Sequence, residues 1–220
     1  MHVLLAEGYS ENSYVPSVCF VDDVFQISEE SIVQATTDIK NKIAHHFKNQ
    51  TLGLADITGF SVNELFLKLG FLLSTEIWNT FGTWVKNAKP KLSPGVELSL
   101  SGYAESASRS DIQKNIFDKR LFQKRLNDFL CYGNVLCFPI TVDLAPRLDD
   151  ITPDFLAGDY VPRAMSVNAI SCLSRTPQIT IPIAEADGVP LGLSFIAGYG
   201  QDMMLIELCN KIYNQCVVDC

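Results

Sequence analysis

The sequence predicts an α/β fold: a mixed β-sheet flanked by helices. Three observations carry this. Short apolar runs rich in β-branched and aromatic residues (SVCFVDDVF, NVLCFPI, QITIPI, PLGLSFIAG) recur along the chain. Between them lie longer stretches whose apolar residues repeat every three or four positions, the helical period. The 220 residues are 47% apolar and only 19% charged, a composition able to bury a sizeable core.

Residues 1–16 form a leader with no legible element, and residues 17–220 read as one α/β domain. SVCFVDDVF (17–25) has strand composition. Ser28 reads as an N-cap followed by Glu29 and Glu30, where the helix dipole favours acids. Ile32, Thr36, Ile39, Ile43 and Phe47 then mark an amphipathic helix over 29–48. After a loop, a second helix over 62–86 carries Leu65, Leu69, Leu72, Leu73, Trp78, Phe81 and Trp84. It is apolar on more than one side, which predicts deep packing. Pro90 and Pro94-Gly95 close that region.

A third helix spans 109–130, its stripe formed by Ile112, Ile116, Phe117, Leu121, Leu126 and Leu130. NVLCFPI reads as a strand buried on both faces. The Pro- and Asp-rich stretch 141–162 reads as a surface loop, and a short helix over 163–173 leads to QITIPI. EADG turns the chain into PLGLSFIAG, and Asp202 is placed as the cap of a last helix to 214.

The formal net charge of −8 argues against a nucleic-acid partner, since phosphate neutralisation needs clustered Lys and Arg. The basic run Lys114 to Arg125 reads as the wet face of a helix. No apolar run is long enough for a membrane span: LFLKLGFLL is short and carries Lys68. Seven cysteines without a CxxC, several inside apolar runs, point to buried thiols in a reducing, cytoplasmic compartment.

Complete catalytic patterns are missing. The glycines of GVPLGLSFIAGYGQD (188–202) do not make a GxGxxG fingerprint, and Asp202 would oppose a bound phosphate. Adjacent His45 and His46 diverge by about 100° on a helix and do not share a metal ion. Cys216 and Cys220 lie on one helical face but lack further ligands nearby. Asp143, Asp149, Asp150 and Asp154 read as solvated loop charge rather than a cation site. GxSxG and SxxK are absent. No cofactor and no metal is expected.

One constellation stands out as a pattern. A strand ends in Pro139 and is followed by Ala145-Pro146. Arg163 opens a helix, and Pro177 and Pro182 flank a strand. Gly188-Pro190-Gly192 make a turn, and Gly198 and Asp202 precede the closing helix. In order and spacing this resembles the C-terminal part of the amidase signature family. VDDVFQIS and TEIWNTFGTWVKNAKPKLSPGV are similar to the middle of that family, with a likeness to members that cleave small amides such as indole-acetamide. The resemblance covers about residues 17–214 and implies the C-terminal half of an amidase-signature fold.

Enzymes of that family hydrolyse amides with a Ser–cis-Ser–Lys triad set in a Gly-Gly-Ser-Ser-Gly-Gly segment of their N-terminal half. The 220 residues contain no such segment, and SLSGYAESASRS (99–110) does not substitute for it. The resemblance implies an amidase-like carbon–nitrogen hydrolase of a small amide, inactive as this chain alone. Its partner would be an N-terminal amidase half, or a second copy through exposed apolar surface around Trp78 and Trp84. By position, Ile140 and Thr141 begin a loop that would wall the substrate pocket. The alternative is a non-catalytic remnant or interaction module that keeps the fold's second half.

Overall fold

In the computed structural model, residues 15–93, 96, 108–152, 154–155 and 158–218 are described. A five-stranded mixed sheet of order β2-β1-β3-β5-β4 forms the centre. The strands are β1 (Ser17–Val21), β2 (Asn49–Leu52), β3 (Asn134–Pro139), β4 (Gln178–Ala186) and β5 (Val189–Ile196). β1 runs parallel to both β2 and β3, while β5 is antiparallel to β3 and β4. Parallel neighbours require long crossovers, and the helical stretches between the strands supply them.

β1 and β3 are buried along both faces, which accounts for their unbroken apolar composition. Val18, Phe20, Val135, Cys137, Leu193 and Phe195 face one layer. That layer consists of α2 (Glu30–His46) and α8 (Asp202–Tyr213). Cys19, Val21, Leu136, Phe138 and Ile196 face the other. Its principal helices are α4 (Val62–Ala88), α5 (Arg109–Leu130) and the short α7 (Ala169–Ser174). The period-two alternation of the strands thus builds a three-layer sandwich.

Several expectations are corrected. The first strand stops at Val21 rather than at 25, and α1 (Asp22–Ile27) begins there. The paired acids Asp22 and Asp23 occupy its first turn, and Asp23 Oδ2 accepts from Leu54 N (2.9 Å) at the start of α3 (Leu54–Thr58). Ser28 closes α1 rather than capping α2: its N–H donates to Phe25 O and its Oγ to Val24 O. Asp202 is the first residue of α8, and Gln201 holds the cap position. The helix expected over 163–173 is two short helices, α6 (Tyr160–Ser166) and α7, so Arg163 lies inside the first of them. The loop expected after α2 contains β2, an edge strand of NQTL whose polar residues give no apolar alternation to read.

The second helix does not pack deeply along its length. Val62 and Leu65 join the core, capped by a reciprocal Ser61–Glu64 box. Beyond Leu72, by contrast, Leu73, Phe81 and Trp84 are each about half exposed, at 48%, 51% and 53%.

The hairpin β4–β5 turns at Asp187 and Gly188, with φ of 52° and 77°, the two-residue turn that Asp-Gly favours. Among the described residues β4 borders the sheet. Gly192 C=O accepts from Ile140 N on the β3 side, so the paired Pro182 turns its own backbone nitrogen toward the open border. Proline has no N–H to offer there, and a bulge between Pro182 and Ala184 follows immediately.

Candidate functional site

Ligands of open α/β sheets bind beyond the carboxyl ends of the strands, where neighbouring parallel strands send the chain in opposite directions. β1 and β3 meet that condition: the chain leaves β1 toward β2, and leaves β3 toward β4 and β5. The loops that follow them close over this point. Glu29 N–H donates to Val142 O (2.8 Å), and Leu144 N–H donates to the Glu29 carboxylate (3.3 Å). Glu29 therefore holds the post-β3 loop by its backbone and by its side chain.

Arg163 completes the clamp. Its guanidinium grips Asp143 with Nη2–Oδ1 at 2.7 Å and Nε–Oδ2 at 2.9 Å, and Nη2 also donates to Ile27 O at 3.0 Å. The Asp143 carboxylate raises the Arg163 pKa still further, so the guanidinium stays charged throughout the working pH range. This corrects the reading of Asp143 as solvated loop charge: it is buried and paired. A cavity of about 620 Å³ lies here, lined by Glu29, Asp143, Pro146, Arg147, Tyr160 and Arg163. Its lining includes the packed rings of Phe155 and Tyr160, with centroids 5.0 Å apart.

The two residues singled out from the sequence occupy the root of this loop. Thr141 Oγ1 donates to Asp143 O (2.9 Å) and shapes the turn. Ile140 extends β3 and donates its N–H to Gly192 O. A Cβ built on Gly192 would lie 2.5 Å from Thr180 Cγ2 and 3.5 Å from Ile140 Cγ2. The missing side chain lets Ile140 and Thr180 approach across β5, giving a row Ile140–Gly192–Thr180 on the α4/α5 side of the sheet. Thr180 Oγ1 and Gln178 Nε2 hydrogen-bond the fully buried Ser194 Oγ at 2.7 and 2.9 Å, so this row ends in a hydroxyl and carboxamide patch at the β4 border. Sequence reasoning missed Glu29, Thr180 and the Asp143–Arg163 pair. Partners so far apart in sequence leave no local signal, although Arg163 and Gly192 stand in the family pattern.

Elsewhere the described residues hold little nucleophilic or metal-binding chemistry. Burial pushes the Cys19 thiol up to about 11 and the Cys209 thiol to about 12, and raises Cys137 well above the usual range. Those three are inert fillers of the core. His45 and His46 are exposed at the end of α2. No cluster of three metal-ligating side chains occurs among the described residues. Asp23 Oδ1 is buried without a hydrogen-bond partner among them, while its other oxygen caps α3. Cys220 and most of SLSGYAESASRS lie outside the described residues.

The Amidase family model matches residues 60–206, more than half of the chain. The chain belongs to the amidase family. Among curated proteins it is 34% identical over 122 residues to the putative amidase AmiC of Mycobacterium leprae, covering 52% of this chain and 25% of that protein. It is 30% identical over 138 residues to the translocon at the outer membrane of chloroplasts 64 of Pisum sativum, covering 63% of this chain and 23% of that one. Among solved structures, an amidase superposes with a TM-score of 0.70 at 17% identity, covering 91% of this chain and 45% of the other. Kluyveromyces lactis allophanate hydrolase gives 0.77 at 16% identity, with 91% and 32% covered. These structural likenesses establish the fold. The chain spans less than half the length of each of these relatives. Among the described residues no helix is long and apolar enough to cross a membrane.

Proposed function

We propose that this chain supplies the C-terminal portion of an amidase-like hydrolase that splits a small amide and water into a carboxylate and ammonia, and that it is inactive alone. The observation that carries this is the family match across residues 60–206, in a sequence without a Gly-Gly-Ser-Ser-Gly-Gly segment. In such an enzyme the Ser–cis-Ser–Lys chemistry comes from another segment, and this chain's part is to wall and shape the pocket. Ile140 contributes apolar wall, Thr141 fixes the loop that begins there, and Glu29 with Arg163 holds that loop rigid.

The open border of β4 supports the pairing with an N-terminal half. Gln178 and Thr180 share the parity of Pro182 and turn their backbone groups outward, and Thr180 brings the wall row to the same border. A strand added there would bring its chain next to Ile140, Gly192 and Thr180. Of the pair expected to form an exposed apolar surface, Trp84 is exposed together with Leu73 and Phe81 while Trp78 is partly buried, and this face of α4 is the surface for self-association in the absence of that half. A cytoplasmic setting agrees with the buried thiols.

Ammonia release tests the proposal. The purified chain is assayed on acetamide, benzamide and indole-acetamide, alone and after co-expression with an N-terminal amidase segment carrying the serine-glycine pattern. We expect no turnover alone and turnover in the complex, with KM raised by Ile140→Ala. Hydrolysis by the chain alone that survives repeated purification refutes the proposal. A complex that forms and stays inactive favours the second reading, a non-catalytic module that has kept the fold. Reading the DNA on both sides of the coding segment for the serine-glycine pattern separates the same alternatives.

A further inference from the structure

We propose that the cleft between α4 and α5 is a docking groove for a short acidic amphipathic helix of a partner protein. This inference is independent of amide chemistry. The two helices run antiparallel, tied at their base by Lys68 Nζ to Asp118 (2.6 Å) and by the Phe60–Phe122 edge contact. Above that tie they part, leaving a groove of about 520 Å³. Its apolar lining comes from Leu72 on one wall and from Ile112 and Ile116 on the other, with Ile116 still 38% exposed.

The charged lining is lopsided. Lys119, Arg120 and Arg175 converge on the groove, against the single carboxylate Glu76. None of the three cations has an ion pair or a side-chain hydrogen bond among the described residues. On α5, Lys124 is engaged with Asp128 and Arg125 with Thr58 O, both away from the groove. The chain as a whole carries −8, so a groove with a cationic surplus runs against the average of its surface. Arg175 is also held at φ 60°, a left-handed conformation that costs a non-glycine residue stability, at the C-terminus of α7.

Dimensions and chemistry select the occupant. Ile112 to Arg120 spans about 12 Å along α5, two to three turns of a helix lying alongside. Three apolar contacts beside three unpaired cations complement a helix with Leu-type residues on one stripe and Asp or Glu on its flank.

The probe is a fluorescent, capped 14-residue helix with four leucines along one face and glutamates beside them, compared with the same peptide carrying lysines. Anisotropy titrations with the whole chain should show the glutamate peptide binding at least tenfold more tightly, and weakening as salt rises. Lys119→Glu with Arg120→Glu should reduce its affinity at least tenfold and improve that of the lysine peptide. Lys124→Glu, outside the groove, should change neither. Arg175→Gly removes one cation while relieving the left-handed residue. It should raise the melting temperature yet weaken the glutamate peptide, which separates loss of binding from loss of fold. Equal binding of the two peptides, or indifference to the Lys119/Arg120 reversal, overturns the proposal. Displacement of the peptide by equimolar decanoate overturns it in favour of a small amphiphilic carboxylate. Dimerisation of the chain that the same reversal abolishes overturns it in favour of a second copy.

Discussion

The clamp on the post-β3 loop predicts a measurable coupling between Arg163 and Asp143. Their side chains are unequally exposed, 44% for Arg163 and 11% for Asp143. Arg163→Met removes the forked donor and strands a nearly buried carboxylate. For fully buried pairs that costs about 3–5 kcal/mol. Nearly half of the Arg163 side chain is exposed, and screening brings the expectation down to about 2–3 kcal/mol. Asp143→Asn keeps the shape and leaves a cation that solvent can accommodate, so about 1–2 kcal/mol is expected. The double variant has no orphaned charge, and its cost should fall short of the sum by about 1–2 kcal/mol. Arg163→Lys keeps the charge but not the fork, and should recover less than half of the loss. Urea unfolding monitored by tryptophan fluorescence gives each value at constant m. Hydrogen exchange at Leu144, whose amide donates to Glu29, should quicken in the single variants if the pair holds the loop. Single losses that add to within about 0.5 kcal/mol would refute the coupling, and with it the role of Arg163 as a clamp.

Three further outcomes follow from the geometry. Gly192→Ala drives a Cβ to 2.5 Å from Thr180 Cγ2, so it should destabilise the chain by about 1–3 kcal/mol, and adding Thr180→Ser, which deletes that methyl, should recover most of the loss in the same denaturation assay. Thiol labelling of the native chain at pH 8, read by peptide mass mapping, should modify exposed Cys131 and Cys172 quickly and Cys19, Cys137 and Cys209 only after unfolding, since burial raises the pKa of those three. Ser61 donations hold the Glu64 pKa below its ordinary value, so this cap stabilises the fold above the usual carboxylate range and fades as pH falls through the lowered folded-state pKa; Ser61→Ala should cost about 1 kcal/mol at pH 7 and progressively less in acid.

Periodicity was a sound guide wherever burial followed from local pattern. α5 occupies the predicted 109–130, although of its expected stripe Leu126 and Leu130 are buried while Ile116 and Phe117 are exposed. β3 and β5 lie where their apolar runs place them, and β4 runs on past QITIPI to Ala186, which narrows the turn expected at EADG to Asp187 and Gly188. The pattern failed where tertiary partners override composition. Val24 and Phe25 look like a continuation of β1, yet α1 sends them to opposite faces of the sheet. NQTL becomes a strand only because β1 offers a parallel border. The apolar surface of α4 predicts burial, but Phe81 and Trp84 extend past the core that this chain provides. At the site, Ile140 and Thr141 were legible as a strand end followed by a loop. Their neighbours Thr180 and Glu29 were not, because contacts across a sheet and between two crossovers leave no trace in residue spacing.

The open border of β4 has a consequence for how anything can join it. Pro182 withholds a donor near the middle of the strand, and the bulge beyond it shifts the pleat by one residue. An incoming strand therefore finds two short ladders out of phase rather than one continuous ladder. A flat, regular segment can satisfy one of them but not both. A segment with its own kink at the matching position can satisfy both, and only in one register. The interruption thus works as a key: it discourages stacking of identical chains into fibrils and leaves open a joint that a single irregular partner strand can close.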